Sequence, residues 1–89
     1  MKLTDHDYTE LCGLLPQGEP VYADGAILGA LYRDEGTHRW YFADLDSLTL
    51  LALEARMGED AYSRWCAETH PDGEGVTPEE ALRSGGIID

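Results

Sequence analysis

The amino-acid sequence predicts a single α+β domain over residues 1–89, in which a small antiparallel sheet of two to three strands packs against a bundle of three to four short helices. Three observations support this fold class. Apolar side chains recur at helical spacing before residue 16 and after residue 46, residues 21–43 are rich in strand-forming residues, and proline or glycine separates these stretches. A chain of 89 residues buries roughly 60 to 65% of its unfolded surface, which suffices for one core.

The first helix is predicted to begin at Thr4, which can cap it while Asp7 returns the bond to the backbone. Its apolar face follows the spacing i, i+3, i+4, i+7 and consists of Tyr8, Leu11, Cys12 and Leu15. The segment 16–20 contains two prolines and a glycine, so we expect the helix to end there.

Three strands are expected next, at Val21–Ala23, Ala26–Arg33 and Thr37–Ala43, with a turn at Asp24-Gly25. A three-residue loop, Asp34–Gly36, with Gly36 in the left-handed region would connect the last two. This register predicts one sheet face with Leu28, Ala30, Tyr32, His38, Trp40 and Phe42, and an opposite face with Ile27, Gly29, Leu31, Arg33, Arg39 and Tyr41. The first face is expected to pack on the central helix, and a slip of one residue would invert the assignment.

The central helix is predicted over Ser47–Met57 and carries two apolar stripes. One stripe consists of Leu48, Leu51, Ala52 and Ala55, and the other of Leu50, Leu53 and Met57. We therefore expect the helix to lie between the sheet and a third helix, with only Ser47, Thr49, Glu54 and Arg56 facing water. Asp44 or Asp46 is the expected N-cap, and Gly58 the expected stop.

Two further helices are expected after Gly58. Asp60 is the predicted cap of a third helix, whose apolar face contains Ala61, Tyr62, Trp65, Cys66 and Thr69. Residues 70–75 are predicted to form a loop. Thr77 and Glu80 then form a capping box with Pro78 at the first position of a short fourth helix, which Gly85-Gly86 ends.

The chain is strongly acidic, with 18 Asp and Glu against 6 Lys and Arg and a net charge of −12. Residues 21–43 carry almost none of this charge. Such an imbalance repels nucleic acid and anionic membranes and attracts basic surfaces. The expected partner is a basic nucleic-acid-binding protein or complex, with no direct nucleic-acid or membrane contact, and the chain is expected to be a monomer.

No catalytic or cofactor motif is present, so we expect no enzyme, no cofactor and no metal.

Cys12 and Cys66 have no CxxC spacing and are expected to be buried, reduced thiols. Cys66 and His70 lie at i, i+4, but a structural zinc site needs four ligands, and partners such as Cys12, His6 or His38 show no paired spacing. A Cys–His nucleophile would lack an orienting third residue. The absence of a signal sequence or membrane span favours a cytoplasmic protein.

Seven acidic residues outside the sheet are predicted to bind the partner. They are Glu59, Asp60, Glu68, Asp72, Glu74, Glu79 and Glu80. The sequence alone leaves a second possibility open, in which the acids serve solubility. An antitoxin, immunity or regulatory protein would then bind its partner through the near-neutral sheet face, around Ile27 and Tyr41 beside Arg33 and Arg39.

In size, acidity, lack of a catalytic signature and compact α+β pattern, the chain resembles the small acidic anti-CRISPR proteins of phages and mobile elements, including those acting on type I systems. The resemblance lies in the general character of the whole chain. It implies a stoichiometric inhibitor of the DNA-mimic type, which occupies a positively charged nucleic-acid site on a CRISPR interference complex.

Overall fold

The computed structural model describes residues 3–88, and within them it has a four-stranded antiparallel sheet and four α-helices, which confirms the α+β fold class. In chain order the elements are α1 (Asp5–Leu11), a 3₁₀ turn (Cys12–Leu14), β1 (Glu19–Ala23), β2 (Ala26–Arg33), β3 (Trp40–Asp44), α2 (Leu45–Arg56), α3 (Ala61–Glu68), β4 (Gly73–Gly75) and α4 (Pro78–Ser84). No helix among residues 3–88 has the length and apolar character needed to cross a lipid bilayer.

The strands follow one another across the sheet in the order β1-β2-β3-β4, and helices cover both faces. The larger core lies between the sheet and α1, α2 and α3. Its buried members are Cys12, Leu15, Ala30, Tyr32, Ala43, Leu48, Leu51 and Trp65. A smaller core lies on the opposite face, where Leu31 and Phe42 pack against Ala81 of α4. The sheet is therefore the middle layer of three.

The register predicted for β3 was wrong by three residues, an odd number, because a three-residue loop would pair Arg33 with Thr37 whereas Arg33 pairs with Trp40. Tyr32 pairs with Tyr41 and Leu31 pairs with Phe42, so Phe42 and Trp40 lie on the α4 face, while Tyr41 joins Tyr32 on the α2 face. The alternation of side chains along a strand makes such a slip exchange both faces. Each predicted face therefore combines residues that lie on different faces of the sheet in the structure.

The cause of the slip is the loop between β2 and β3, which spans residues 34–39 rather than three residues. Asp34 Oδ1 accepts hydrogen bonds from the backbone N–H groups of Gly36 (2.8 Å) and Thr37 (3.0 Å), which folds the loop around this carboxylate. His38, predicted to lie in a strand, is an exposed loop residue with φ 60°, and Gly36 does not occupy the left-handed region.

A fourth strand forms where a loop was predicted. Gly73–Gly75 pairs with β3, although glycine has low strand propensity. The reason is tertiary, because the backbone of β4 lies directly against α4. A Cβ atom on Gly73 would overlap the carbonyl oxygen of Ala81 and lie 2.5 Å from the nitrogen of Gly85. Only glycine permits this approach of strand to helix.

The N-terminal caps of α1 and α2 agree with prediction. Thr4 and Asp7 form the capping box, with bonds of 2.9 and 3.2 Å, and Asp44 accepts from the N–H of Ser47 at 2.9 Å. Gly58 follows α2 with φ 128°. Local hydrogen-bonding chemistry therefore determines where these helices begin.

The other two caps agree in part. Thr77 accepts from the N–H of Glu80 and Pro78 is the first residue of α4, as predicted, but the Glu80 carboxylate bonds the N–H of Val76 at 2.8 Å instead of that of Thr77. Asp60 precedes α3 as predicted. It has φ 63° and its side chain makes no capping bond.

The expectation that α2 is covered on two sides was wrong. Leu48, Leu51 and Ala52 are buried, but the second stripe, Leu50, Leu53 and Met57, is 47%, 43% and 74% exposed. We call these three residues the α2 stripe. Glu54, expected to face water, is buried instead at 7% exposure. The cause is that α3 packs beside Glu54, where its residue Arg64 pairs with the carboxylate, and leaves the α2 stripe uncovered.

Candidate functional site

Arg64 of α3 joins α3 to the C-terminal end of α2. Its Nε donates to the Glu54 carboxylate at 2.7 Å, and its Nη2 donates to the backbone oxygens of Glu54 (2.8 Å) and Gly58 (3.3 Å). Its Nη1 also donates to the backbone oxygen of Glu59. The positive charge of Arg64 is thus used inside the domain, at the end of a helix where a cation is favoured.

Three of the predicted partner-binding residues, Glu59, Asp60 and Glu68, lie around Arg64. We call them the α3 acid group. Glu68 lies beside Glu54, and the hydrogen bond between the two carboxyl groups, together with the Glu54 charge, raises the pKa of Glu68. The hydrogen bond from Arg64 lowers the pKa of Glu54. Glu54 therefore holds the structural ion pair, and Glu68 carries an unfavourable negative charge at neutral pH.

Glu68→Gln is expected to raise the melting temperature slightly at neutral pH. The pKa of Glu68 is higher in the folded state than in the unfolded state. The stability that its protonated form contributes is therefore fully present below the unfolded-state pKa, and it is lost as the pH rises through the folded-state pKa. The gain from Glu68→Gln should therefore vanish in acid, where both carboxyl groups are protonated. Thermal unfolding across a pH series tests this, with Glu19→Gln, an exposed acid outside α2 and α3, as the equal-charge control. An equal gain for both variants would contradict a specific Glu54–Glu68 repulsion.

The other four predicted residues lie around β4 and the start of α4, and we call them the β4 acid group. Asp72 accepts from the N–H of Asp44 (2.9 Å) and the hydroxyl of Ser47 (3.2 Å), and so supports the start of α2. Glu74 is 3.6 Å from Arg39, and both are partly exposed. Glu79 and Glu80 occupy the first turn of α4. The seven predicted acids are all exposed, but they form two groups, and Asp72 and Glu80 also have structural bonds.

The surface as a whole remains strongly negative. Thirteen acidic residues between positions 3 and 88 are exposed, whereas the exposed arginines in that range are Arg56 and Arg83. Arg39 and Arg64 are partly covered and each lies against a carboxylate. The charge balance of the exterior is therefore even more one-sided than the composition suggests.

A pocket of about 180 Å³, which was not predicted from the sequence, opens beside α3. It is lined by Tyr32, Asp34, Tyr41, Tyr62, Cys66, Thr69 and Pro71, which we call the tyrosine pocket. The ring centroids of Tyr32 and Tyr41 are 5.6 Å apart, and those of Tyr32 and Tyr62 are 6.1 Å apart with an interplanar angle of 87°. Tyrosine rings in several orientations thus border one cavity.

Asp34 supplies the charge of this pocket. Its Oδ2 accepts from the Tyr62 hydroxyl at 3.0 Å, while its Oδ1 accepts from the loop N–H groups of Gly36 and Thr37. The N–H of Thr37, followed by the Tyr62 hydroxyl, lowers the pKa of Asp34, and burial raises the pKa of both Tyr32 and Tyr62. At neutral pH the pocket therefore contains one carboxylate and neutral phenols.

The prediction for cysteine holds for Cys12, which is buried and free, and fails for Cys66, which is free but exposed. Cys66 lies at the wall of the tyrosine pocket because the larger core takes Trp65 from α3 instead. Partial burial raises the pKa of its thiol, so the thiol is protonated at neutral pH. Within residues 3–88 no three His, Cys, Asp or Glu side chains are grouped so that they could hold a metal ion.

Comparison with protein-family models, curated proteins and solved structures finds no match to this chain. The features of the molecule that bear on function are the acidic surface, the tyrosine pocket and the α2 stripe.

The near-neutral sheet face proposed as an alternative contact surface is not formed. Ile27 is 3% exposed, and Tyr41 is half-buried on the face of the sheet that α2 and α3 cover, at the tyrosine pocket. The exposed apolar surface is found instead on α2. The tyrosine pocket itself was missed because it depends on the β2–β3 register, although the shared helical face of Tyr62 and Cys66 was visible in the sequence.

Proposed function

We propose that this protein is an acidic, stoichiometric inhibitor of the DNA-mimic type, which binds a positively charged nucleic-acid-binding surface of a CRISPR interference complex in the cytoplasm of the host bacterial cell. The observation that carries the proposal is the charge of the exterior, with thirteen exposed acids against two exposed arginines between positions 3 and 88. Carboxylates distributed over a rigid domain can engage the Lys and Arg side chains that otherwise neutralise phosphates.

Glu68 has no structural reason for its position. The macrodipole favours an anion in the first turn of a helix, and Asp72 and Glu80 hold backbone groups. Glu68 is instead the last residue of α3, where the macrodipole is unfavourable to an anion, and it is repelled by Glu54. An acid at such a position opposes stability, which supports a role for it outside the fold.

The proposal is tested by titrating the protein into a purified type I interference complex bound to labelled target DNA. We expect the DNA to be displaced with a stoichiometry near one, and the apparent affinity of the protein to fall steeply as salt is raised. Full retention of DNA at saturating protein, at every salt concentration, would reject this class of partner.

A matched pair of variants locates the contact. Glu59→Gln, Asp60→Asn and Glu68→Gln together remove three charges from the α3 acid group, and asparagine tolerates the positive φ of Asp60. The control removes three charges elsewhere with Glu19→Gln, Asp24→Asn and Glu35→Gln, all of which are exposed. If each lost surface pair is worth 0.2 to 1 kcal/mol, the first variant should bind about tenfold more weakly than the control. Equal affinities would exclude the α3 acid group as the contact.

The α2 stripe favours a second candidate function, an antitoxin, immunity or regulatory protein that buries this stripe in an apolar groove of its partner. Leu50, Leu53 and Met57 recur along one helical face and are 43% to 74% exposed. This candidate predicts a complex that survives high salt and is lost in Leu53→Gln with Met57→Gln. The inhibitor function predicts a complex that is lost at high salt and retained when Leu53→Gln and Met57→Gln are introduced together. A pull-down from host lysate at low and high salt therefore separates the two functions.

A further inference from the structure

We propose that the tyrosine pocket binds an alkylammonium group, such as the side chain of a lysine or methylated lysine. That the group belongs to the basic partner rests on the proposed function, whereas the selectivity for a cation rests on the pocket itself.

The aromatic walls favour a cation. Tyr32, Tyr41 and Tyr62 come from β2, β3 and α3, and Tyr32 is tilted by 35° to Tyr41 and by 87° to Tyr62. The faces of aromatic rings carry negative partial charge, and cages of such rings bind quaternary and methylated ammonium groups. An apolar cavity of about 150 Å³ accommodates benzene, so a pocket of about 180 Å³ accommodates a group of the size of tetramethylammonium.

The carboxylate of Asp34 also favours a cationic ligand. No Lys, Arg or His side chain lines the pocket among the residues that the structure describes, and His38, whose charge acts on Asp34, lies outside this lining. Inside the pocket Asp34 therefore has neutral hydrogen-bond donors and no cation. An anion is excluded by the same charge. A cation seated among the rings would gain both the aromatic contact and the Coulomb attraction in a partly desolvated site.

The remaining hydrogen-bonding capacity of Asp34 favours an ammonium over a bidentate guanidinium. Each carboxylate oxygen has two acceptor sites. Oδ1 uses both for Gly36 and Thr37, and Oδ2 uses one for Tyr62, so a single site on Oδ2 is left. The fork of an arginine requires both oxygens, whereas one N–H of a lysine-type ammonium requires only one.

Cys66 provides a direct readout, because it lines the pocket and is exposed, while the only other cysteine, Cys12, is buried. The experiment measures the rate of alkylation of Cys66 by iodoacetamide at increasing tetramethylammonium chloride, at constant ionic strength. We expect a saturable slowing by tetramethylammonium and none by tert-butanol, its neutral isostere. Nα-acetyl-lysine methylamide should protect as well, and its Nε-acetylated form should not.

The variant Asp34→Asn should abolish protection, and Glu35→Gln, the exposed neighbour in the same loop, should retain it. Asparagine keeps an oxygen that can accept from Gly36 and Thr37. Because loss of the Asp34 charge also changes the thiol reactivity of Cys66, the fractional protection is compared rather than the absolute rate. If Asp34→Asn fails to fold, judged by circular dichroism, Tyr41→Leu replaces it, with the same expected loss.

Protection by tert-butanol equal to that by tetramethylammonium, or protection unchanged in Asp34→Asn, would overturn the cation site. Protection as expected, but with DNA displacement unchanged in Asp34→Asn, would overturn the assignment of the ligand to the partner and leave the cation site standing. Failure of the proposed function would appear separately, as absence of DNA displacement by the unmodified protein.

Discussion

Trp65→Ala is expected to lower the free energy of unfolding by about 3 to 5 kcal/mol. Trp65 is 2% exposed, and its ring centroid lies 5.5 Å from that of Tyr32 and 6.1 Å from that of Tyr62. Its Nε1 donates to the backbone oxygen of Ser47 at 2.7 Å, which ties α3 to the first turn of α2. A domain of this length has a total stability of roughly 4 to 13 kcal/mol, so the variant should lose a large part of its stability.

Urea denaturation followed by circular dichroism measures this effect. Trp65→Phe should be intermediate in stability between the wild type and Trp65→Ala. It keeps most of the apolar volume but removes the indole donor to the Ser47 carbonyl, so we expect a loss of about 1 to 3 kcal/mol. Met57→Ala is the surface control, since Met57 is 74% exposed, and it should change stability by less than about 0.5 kcal/mol. A loss for Trp65→Ala no greater than that control would contradict the packing of α3 described above.

Gly73→Ala should destabilise the domain by about 1 to 3 kcal/mol or more, through steric overlap rather than through a lost contact. The added Cβ would meet the backbone of Ala81 and Gly85, and neither can move without displacing α4 from the smaller core. Backbone atoms cannot adopt another rotamer to make room. The effect should therefore be larger than for a glycine that faces a flexible side chain.

Gly13→Ala is the matched control for this substitution. A Cβ on Gly13 would meet no atom within 4 Å, and its φ is not positive, so the variant should be neutral or slightly stabilising. Both variants are compared by thermal unfolding at the same pH. Equal melting temperatures would mean that β4 and α4 are not packed backbone to backbone.

Features that depend on nearby residues could be predicted from the sequence. The capping box of Thr4 and Asp7, the cap at Asp44 and the turn at Asp24-Gly25 each involve residues within a few positions of one another. Ala23 pairs with Ala26 across that turn, in which both central residues have positive φ. Such signals are present in the chain itself before any tertiary contact forms.

Features that depend on distant packing could not be predicted. Helical periodicity revealed two apolar stripes on α2, but it does not say which of them acquires a neighbour. The β3 register depended on how the Asp34 side chain folds a six-residue loop, and the strand at Gly73–Gly75 depended on α4. The acidic surface followed from composition, whereas the tyrosine pocket required the correct register of Tyr32 and Tyr41.

The hydrogen bonds of Asp72 have a consequence for the order in which the molecule is assembled during translation. This carboxylate completes the support of the Asp44 and Ser47 end of α2, and the N–H of Asp72 donates to Phe42. A nascent polypeptide that stops before residue 72 lacks these bonds, and it also lacks the layer that covers Phe42. A fragment of residues 1–70 keeps the residues of the larger core but loses the smaller one. We expect thermal unfolding to show it markedly less stable than the whole chain, so that the fold is completed only when residues 71–88 have left the ribosome.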